Sequence, residues 1–148
     1  MTSPSPTLRR RQLGALGIVV VALSLLAACM RVDQTAALGA MNADRGANRL
    51  GRLGTQYDAQ HKAQAWADKL AHENRLYHSN LADGINVRWC SIGENVGYGP
   101  SIPAIENAFM NSAGHRANIL DSKWNGVGVG VAYSGNTVYT VQVFIKTC

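Results

Sequence analysis

The clearest periodicity along the chain lies between Tyr57 and Asn74. Ala63, Trp66, Ala67, Leu70 and Ala71 recur at i, i+3, i+4, i+7 and i+8, the spacing of one helix face. Lys62, Asp68, Lys69 and Glu73 fall away from that stripe, and Asp58 is placed to cap the helix, which is expected to run to about Asn74. An earlier helix is expected over Ala37–Asn48, with Leu38 and Met41 on one side and Asn42 and Arg45 on another. Gly46 and Gly51 weaken its end, and a glycine-punctuated loop follows. Leu76 to Gly84 reads as a loop carrying His78. Val87 to Ile92 reads as a strand that places Glu94 at its end, and Gly93 to Pro100 as a glycine-rich turn.

Ser101 is a capping residue for a third helix, with Pro103 in the first turn, where a missing N–H costs little. Ile105, Ala108, Phe109 and Ser112 share its face, Gly114 suits a terminator, and Arg116 to Leu120 adds a further turn. From Val127 to Tyr133 the pattern changes to period two. Gly126, Gly128 and Gly130 lie on one face, and Val127, Val129 and Val131 on the other. The bare face lets something approach the backbone closely. Ser134-Gly135-Asn136 makes a hairpin turn. Val138 to Lys146 returns with Val141, Val143 and Ile145 opposed to Thr140, Gln142 and Phe144. Helices first and an antiparallel hairpin last define an α+β order.

The first residues read as an address rather than as fold. Arg9, Arg10 and Arg11 precede an uncharged stretch, Leu13 to Ala28, whose 16 residues are short for a membrane span of about 20. Leu26-Ala27-Ala28-Cys29 resembles a bacterial lipobox, in which Cys29 is acylated and becomes the first residue. An ordinary signal peptide and an uncleaved anchor are the competing readings. Arg10-Arg11-Gln12-Leu13 is a weak match to a twin-arginine signal. The division is then a lipoprotein signal over 1–28, a tether over 29–36 and one domain over 37–148, long enough for a real core.

Removing the signal changes the charge argument. The whole chain carries +5, but residues 29–148 hold 11 basic and 9 acidic residues, a net +2. No basic run or basic-aromatic patch survives there, so nucleic acid is not an expected partner. Three cysteines are an odd number. If Cys29 takes lipid, Cys90 and Cys148 remain as a pair for a disulfide in an exported domain. Two buried thiols are the alternative.

The candidate chemistry sits beside glycines. Glu94 lies in Ile92-Gly93-Glu94-Asn95-Val96-Gly97, His115 follows Gly114, and His78 lies in Tyr77-His78-Ser79. Two imidazoles and a carboxylate suit zinc and can leave a position open for water. No compact metal motif is present, since His72-Glu73 fails the H-E-x-x-H spacing at Leu76. Glu94 could instead act as a general base with a histidine partner. Ser79 and Ser112 lack a visible activator, and Cys90 is better placed in a disulfide. A third reading makes His78, Glu94 and His115 a buried hydrogen-bonded network. Arg116 can pair with Asp121 or cap carbonyls, Trp66 is expected in the core, and Trp89 and Trp124, outside the helical stripe, are expected in the core or else as surface anchors for a ligand or partner.

At Tyr77-His78-Ser79, Gly93-Glu94-Asn95-Val96, Asn111 to Leu120 and Gly126-Val127-Gly128-Val129-Gly130, the chain resembles the CAP superfamily. This family comprises cysteine-rich secretory proteins, antigen 5 and pathogenesis-related proteins of group one, also called SCP domains. The likeness covers about residues 37–147. It implies an α-β-α sandwich with a central antiparallel sheet and a cleft lined in many members by two histidines and two glutamates. His78, Glu94 and His115 match three of these, and Ser112 stands where the second glutamate falls. Glu106, six residues earlier, is about 9 Å away along a helix. Phe109 stands where tryptophan is usual.

The resemblance implies non-catalytic binding of a lipid or other envelope ligand through a cleft of His78, Glu94, His115 and Ser112. No cofactor is required, though His78, His115 and Glu94 could hold a labile zinc ion. The alternatives are a metal-dependent hydrolase of envelope peptide or glycan and a protein-interaction module. The expected location is the outer face of a bacterial membrane, held by lipid on Cys29.

Overall fold

The sheet is built from three strands whose pairing follows the two-residue alternation of the C-terminal half. The computed structural model describes residues 32–148, so the expected signal over 1–28, the lipidation cysteine Cys29 and the first tether residues lie outside the described residues. Helix α1 covers residues 32–47, α2 Tyr57–Glu73, β1 Trp89–Gly99, α3 Ile102–Asn111 and α4 Ala113–Ile119. The hairpin of β2 (Gly126–Ser134) and β3 (Thr137–Thr147) closes the chain. Gly135 takes a left-handed φ of 56° at its turn, where glycine carries no steric penalty.

The strands are antiparallel in the order β1-β3-β2, so β1 and β2 are the two edges. Val141, Val143 and Ile145 of β3 join Ala59, Ala63, Ala67 and Leu70 of α2 in one core layer. Phe144 joins Val127, Val129 and Val131 with Met41 of α1, Ile105 and Phe109 of α3 and Ile119 of α4 in the other. The sheet therefore lies between helices, an α-β-α sandwich. Residues 33–148 form one compact unit.

Helix α2 positions most of the rest, because three of its stripes have different work. The alanine stripe lies on the bare face of β2. A Cβ on Gly128 would overlap the Ala59 carbonyl, and one on Gly130 the Ala63 carbonyl. The second stripe is Gln60 and Gln64. Each side-chain amide makes a two-way pair with the outer edge of β2: Gln60 with Val129 at 2.8 and 3.0 Å, Gln64 with Val131 at 2.9 and 3.0 Å. The backbone of Gly54 and Gln56 does the same for Val127. These pairings satisfy N–H and C=O groups that an open edge strand would leave exposed. The third stripe is Asp58, Lys62 and Trp66, which fastens the 77–87 segment. Asp58 accepts from the N–H groups of Asn86 and Val87, Lys62 donates to the carbonyls of Asn80 and Asp83, and Trp66 donates to that of Tyr77.

Several local expectations are corrected. Residues 32–36, assigned to the tether, are helical. Gln56, not Asp58, caps α2, its side chain accepting from the Ala59 N–H at 2.7 Å. Lys62 is buried rather than facing water, its ammonium satisfied by two carbonyls. Burial holds its pKa below the usual lysine value, offset in part by the charges of Glu94 and Asp83. The expected turn at Gly93–Pro100 is strand as far as Gly99. Its glycines make room for aromatic rings: a Cβ on Gly93 would lie 3.0 Å from Trp124, and one on Gly97 2.7 Å from Phe109. Gly114 does not terminate a helix. The extended backbone of Ser112 (φ −103°, ψ 122°) ends α3, and α4 begins at Ala113. Trp124 is buried as expected, but Trp89 is exposed. Arg116 reaches Asn48, while Asp121 pairs with Lys123.

The thiol alternative is resolved: Cys90 and Cys148 form a disulfide that ties the chain terminus to the start of β1. It closes a 58-residue separation, worth about 4 kcal/mol in the chain-entropy model.

Candidate functional site

The site lies on edge strand β1 and is assembled from three elements. Glu94 sits in the middle of β1, opposite Val143, so its side chain points to the α2 layer. There the segment fastened by Asp58, Lys62 and Trp66 brings His78 and Ser79 over it. The Glu94 carboxylate accepts from His78 Nδ1 at 2.8 Å and the Ser79 N–H at 2.9 Å on Oε1, and from Ser79 Oγ at 2.6 Å on Oε2. The Glu94 side chain is 1% exposed and that of His78 59%. A buried carboxylate is thus hydrogen-bonded on both oxygens, and the imidazole it holds is largely open to solvent.

His115 comes from α4 on the opposite side of β1. Its ring packs against Phe109 with centroids 4.9 Å apart. Burial lowers its pKa first, and the charge of nearby His78 lowers it further. Among the described residues, no hydrogen bond joins the His115 ring to Glu94. Ser112, at the α3–α4 junction, makes no side-chain cap bond and supplies no carboxylate in place of the second glutamate.

Glu94 and His78 are therefore in direct contact, His115 is close enough for its charge to be felt, and Ser112 lies at the junction that leads into the helix of His115. Among the described residues, no three His, Cys, Asp or Glu side chains form a group that could hold a metal ion. The donor set still has chemistry to offer. Both Glu94 oxygens are occupied, so Glu94 suits the role of orienting His78 rather than binding metal itself, an arrangement that fixes which imidazole nitrogen faces out. His78 and His115 are the residues that would hold zinc.

Ser79 is not an activated nucleophile. Its hydroxyl donates to the carboxylate and has no histidine base. A polar layer beneath the site was only partly legible. Asn95 and Asn118 belong to recognisable motifs, but their partners Gln142 and Glu106 carry no local signal. Asn95 Nδ2 donates to the His115 carbonyl at 3.1 Å and to Gln142 Oε1 at 3.0 Å. Asn118 Nδ2 donates to the Glu94 carbonyl at 3.2 Å and to Asn95 Oδ1 at 2.9 Å. Asn118 thereby covers part of the β1 edge as the glutamines cover β2.

The site thus pairs a loop histidine with a carboxylate on the edge strand of an antiparallel sheet held between helices. The chain belongs to the cysteine-rich secretory protein (CAP) family, whose model matches residues 38–145. It is 34% identical over 93 residues to the Bacillus subtilis (strain 168) protein YkwD, covering 60% of this chain and 36% of that protein, so it spans about a third of that relative's length. Several solved structures share the fold. A cysteine-rich secretory protein from Staphylococcus aureus subsp. aureus Mu50 superposes with a TM-score of 0.68 at 22% identity, over 79% of this chain and 39% of that one. An outer surface protein from Borrelia burgdorferi superposes with a TM-score of 0.70 at 17% identity, over 80% and 96%.

Proposed function

We propose that this chain is an extracytoplasmic CAP-domain protein, anchored by lipid on Cys29, whose His78–Glu94 site binds an envelope ligand without catalysis. The observation that carries the reading is the use of Glu94. Both its oxygens are engaged in holding His78 and Ser79, and among the described residues no activated nucleophile adjoins the pair. The site is built to present an oriented imidazole. Leu76 and Leu81, on the same segment as His78, are 43% and 38% exposed, which favours a ligand with an apolar body and a polar head. The bare glycine face of β2 does not contribute, because α2 fills it. The Borrelia neighbour, described as an outer surface protein, supports the location outside the cytoplasm.

Native mass spectrometry of the protein after exposure to an envelope lipid extract tests this reading. A lipid adduct that is lost in His78→Ala, with no product released, is the expected result. Equal retention by wild type and mutant, or none by either, would remove it.

One observation favours a second reading. A carboxylate holding Nδ1 of an exposed histidine is also how a zinc ligand is oriented. A metal-dependent hydrolase would show zinc-dependent cleavage of envelope peptide or glycan that disappears in His78→Ala and His115→Ala. Unchanged activity in folded mutants would exclude it.

A further inference from the structure

Behind the site lies a buried chain of side-chain amides, and it runs in one direction. Asn118 donates to Asn95, Asn95 donates to Gln142, and Gln142 Nε2 donates to Glu106 Oε2 at 2.7 Å. Asn95 and Gln142 are wholly inaccessible, and Glu106 is buried. An amide can face either way, but a chain of amides cannot choose link by link. Each donor needs an acceptor, and a buried mismatch costs about 1–3 kcal/mol. The direction is therefore set at the end that cannot donate from the facing atom, and that end is Glu106 on α3. At the other end the chain holds the His115 carbonyl of α4 and the Glu94 carbonyl of β1.

We propose that Glu106 is a positioning residue for the His78–Glu94–His115 site: it fixes the polarity of this chain and so seats α4, with His115, against β1. The inference rests on the reading of that cleft as the functional site. Glu106 does not touch the site itself. It acts through Gln142 and Asn95.

The same geometry makes the anchor sensitive to protons. Among the described residues, Glu106 Oε1 is buried with no group donating to it, and only a proton shared with Asp44 would complete it. The titratable group facing it is Asp44 of α1. β3 offers it the neutral Gln142, and the neighbouring cation of α1, Arg45, is directed to the carbonyls of Gly51, Ile119 and Asp121. Burial, then the charge of Asp44 and a hydrogen bond shared with it, raise the Glu106 pKa to about 7, against the hydrogen bond from Gln142, which lowers it. A proton on Oε1 would lie toward Asp44 and leave Oε2 accepting from Gln142, so the polarity survives while the charge behind it changes.

The test is NMR of the full chain without ligand, following the side-chain amides of Asn95 and Asn118 between about pH 6.5 and about pH 8, the range around the Glu106 pKa, with Glu106→Gln as the control for every other titrating group. In the wild type these signals are expected to shift as Glu106 ionises. Glu106→Gln, which keeps an acceptor for Gln142 and a donor toward Asp44, is expected to hold them at the low-pH positions throughout and to preserve the contact between the His115 and Phe109 rings. Glu106→Leu is expected to abolish that contact or leave the amide signals broadened. Signals that do not move in the wild type, or that move equally in Glu106→Gln, would overturn the proposal. No ligand is present, so this outcome is separate from whether the cleft binds an envelope molecule.

Discussion

The two edges of the sheet are protected by different means, and the difference separates scaffold from site. At β2 the protection is steric and repeated. Glycines admit the α2 backbone, and Gln60 and Gln64 complete the strand's hydrogen bonds. The backbone groups of Val127, Val129 and Val131 are thereby taken up by the protein itself. At β1 it is assembled from single, chemically distinct parts: a carboxylate gripping a loop, an asparagine on a backbone carbonyl, and a disulfide at the strand's start. Such parts leave polar groups half in solvent. His78, the most accessible of them, belongs to this edge.

The largest expected effect breaks the β2 edge. Gly128→Ala would set a methyl group into the Ala59 carbonyl, a backbone atom that cannot swing aside, and force α2 off the sheet. A loss of about 4–5 kcal/mol, the upper end for one substitution, or no folded protein, is expected in urea unfolding. A loss below about 1 kcal/mol would show that the helix is not seated as described. Next is the β1 edge. Replacing Cys90 and Cys148 by alanine should cost about 4 kcal/mol, and reductant should reproduce it in the wild type alone.

The third effect concerns the buried layer. Glu106 has a raised pKa, so the folded state binds the proton more tightly than the unfolded state. Stability is full below the unfolded value of 4.5 and falls as pH rises toward about 7. The difference in unfolding free energy between acid and neutral pH should be about 3 kcal/mol at most from this group, and Glu106→Gln should remove it. His115 opposes this trend, since its lowered pKa makes stability fall as pH drops through 6.5. The smallest effect sharpens the comparison. Gln60→Ala leaves one edge pair to water and should cost about 1 kcal/mol, read as faster amide exchange at Val129 with no change at His78.

What the sequence made legible follows from the range of the forces involved. The alanine stripe of α2, the glycine–valine alternation of β2 and the Ser101 cap are local patterns, and each is found where its period places it. The glycine face admits a close approach, as its pattern predicts, and the visitor is the Ala59–Ala63 backbone. Nothing in Gly126 to Gly130 says whether a helix or a ligand will come. The errors share that origin. Lys62 looks like a surface lysine until Asn80 and Asp83 turn their carbonyls to it. Asp58 looks like a cap until Asn86 and Val87 claim it. Gly93 and Gly97 look like a turn until Trp124 and Phe109 occupy the space they leave. In the site, His78 and Glu94 were placed together by motif. Ser79 as Glu94's second partner and Glu106 as the end of an amide chain depend on contacts across the fold.

The measurement that tests the account most directly is an NMR titration of the protein with an envelope lipid extract, read residue by residue. Shifts confined to Leu76, His78, Glu94 and His115, with Gly126, Gly128 and Gly130 unmoved, are predicted if β1 is the working edge and β2 the closed one. Shifts centred on the β2 glycines would contradict it.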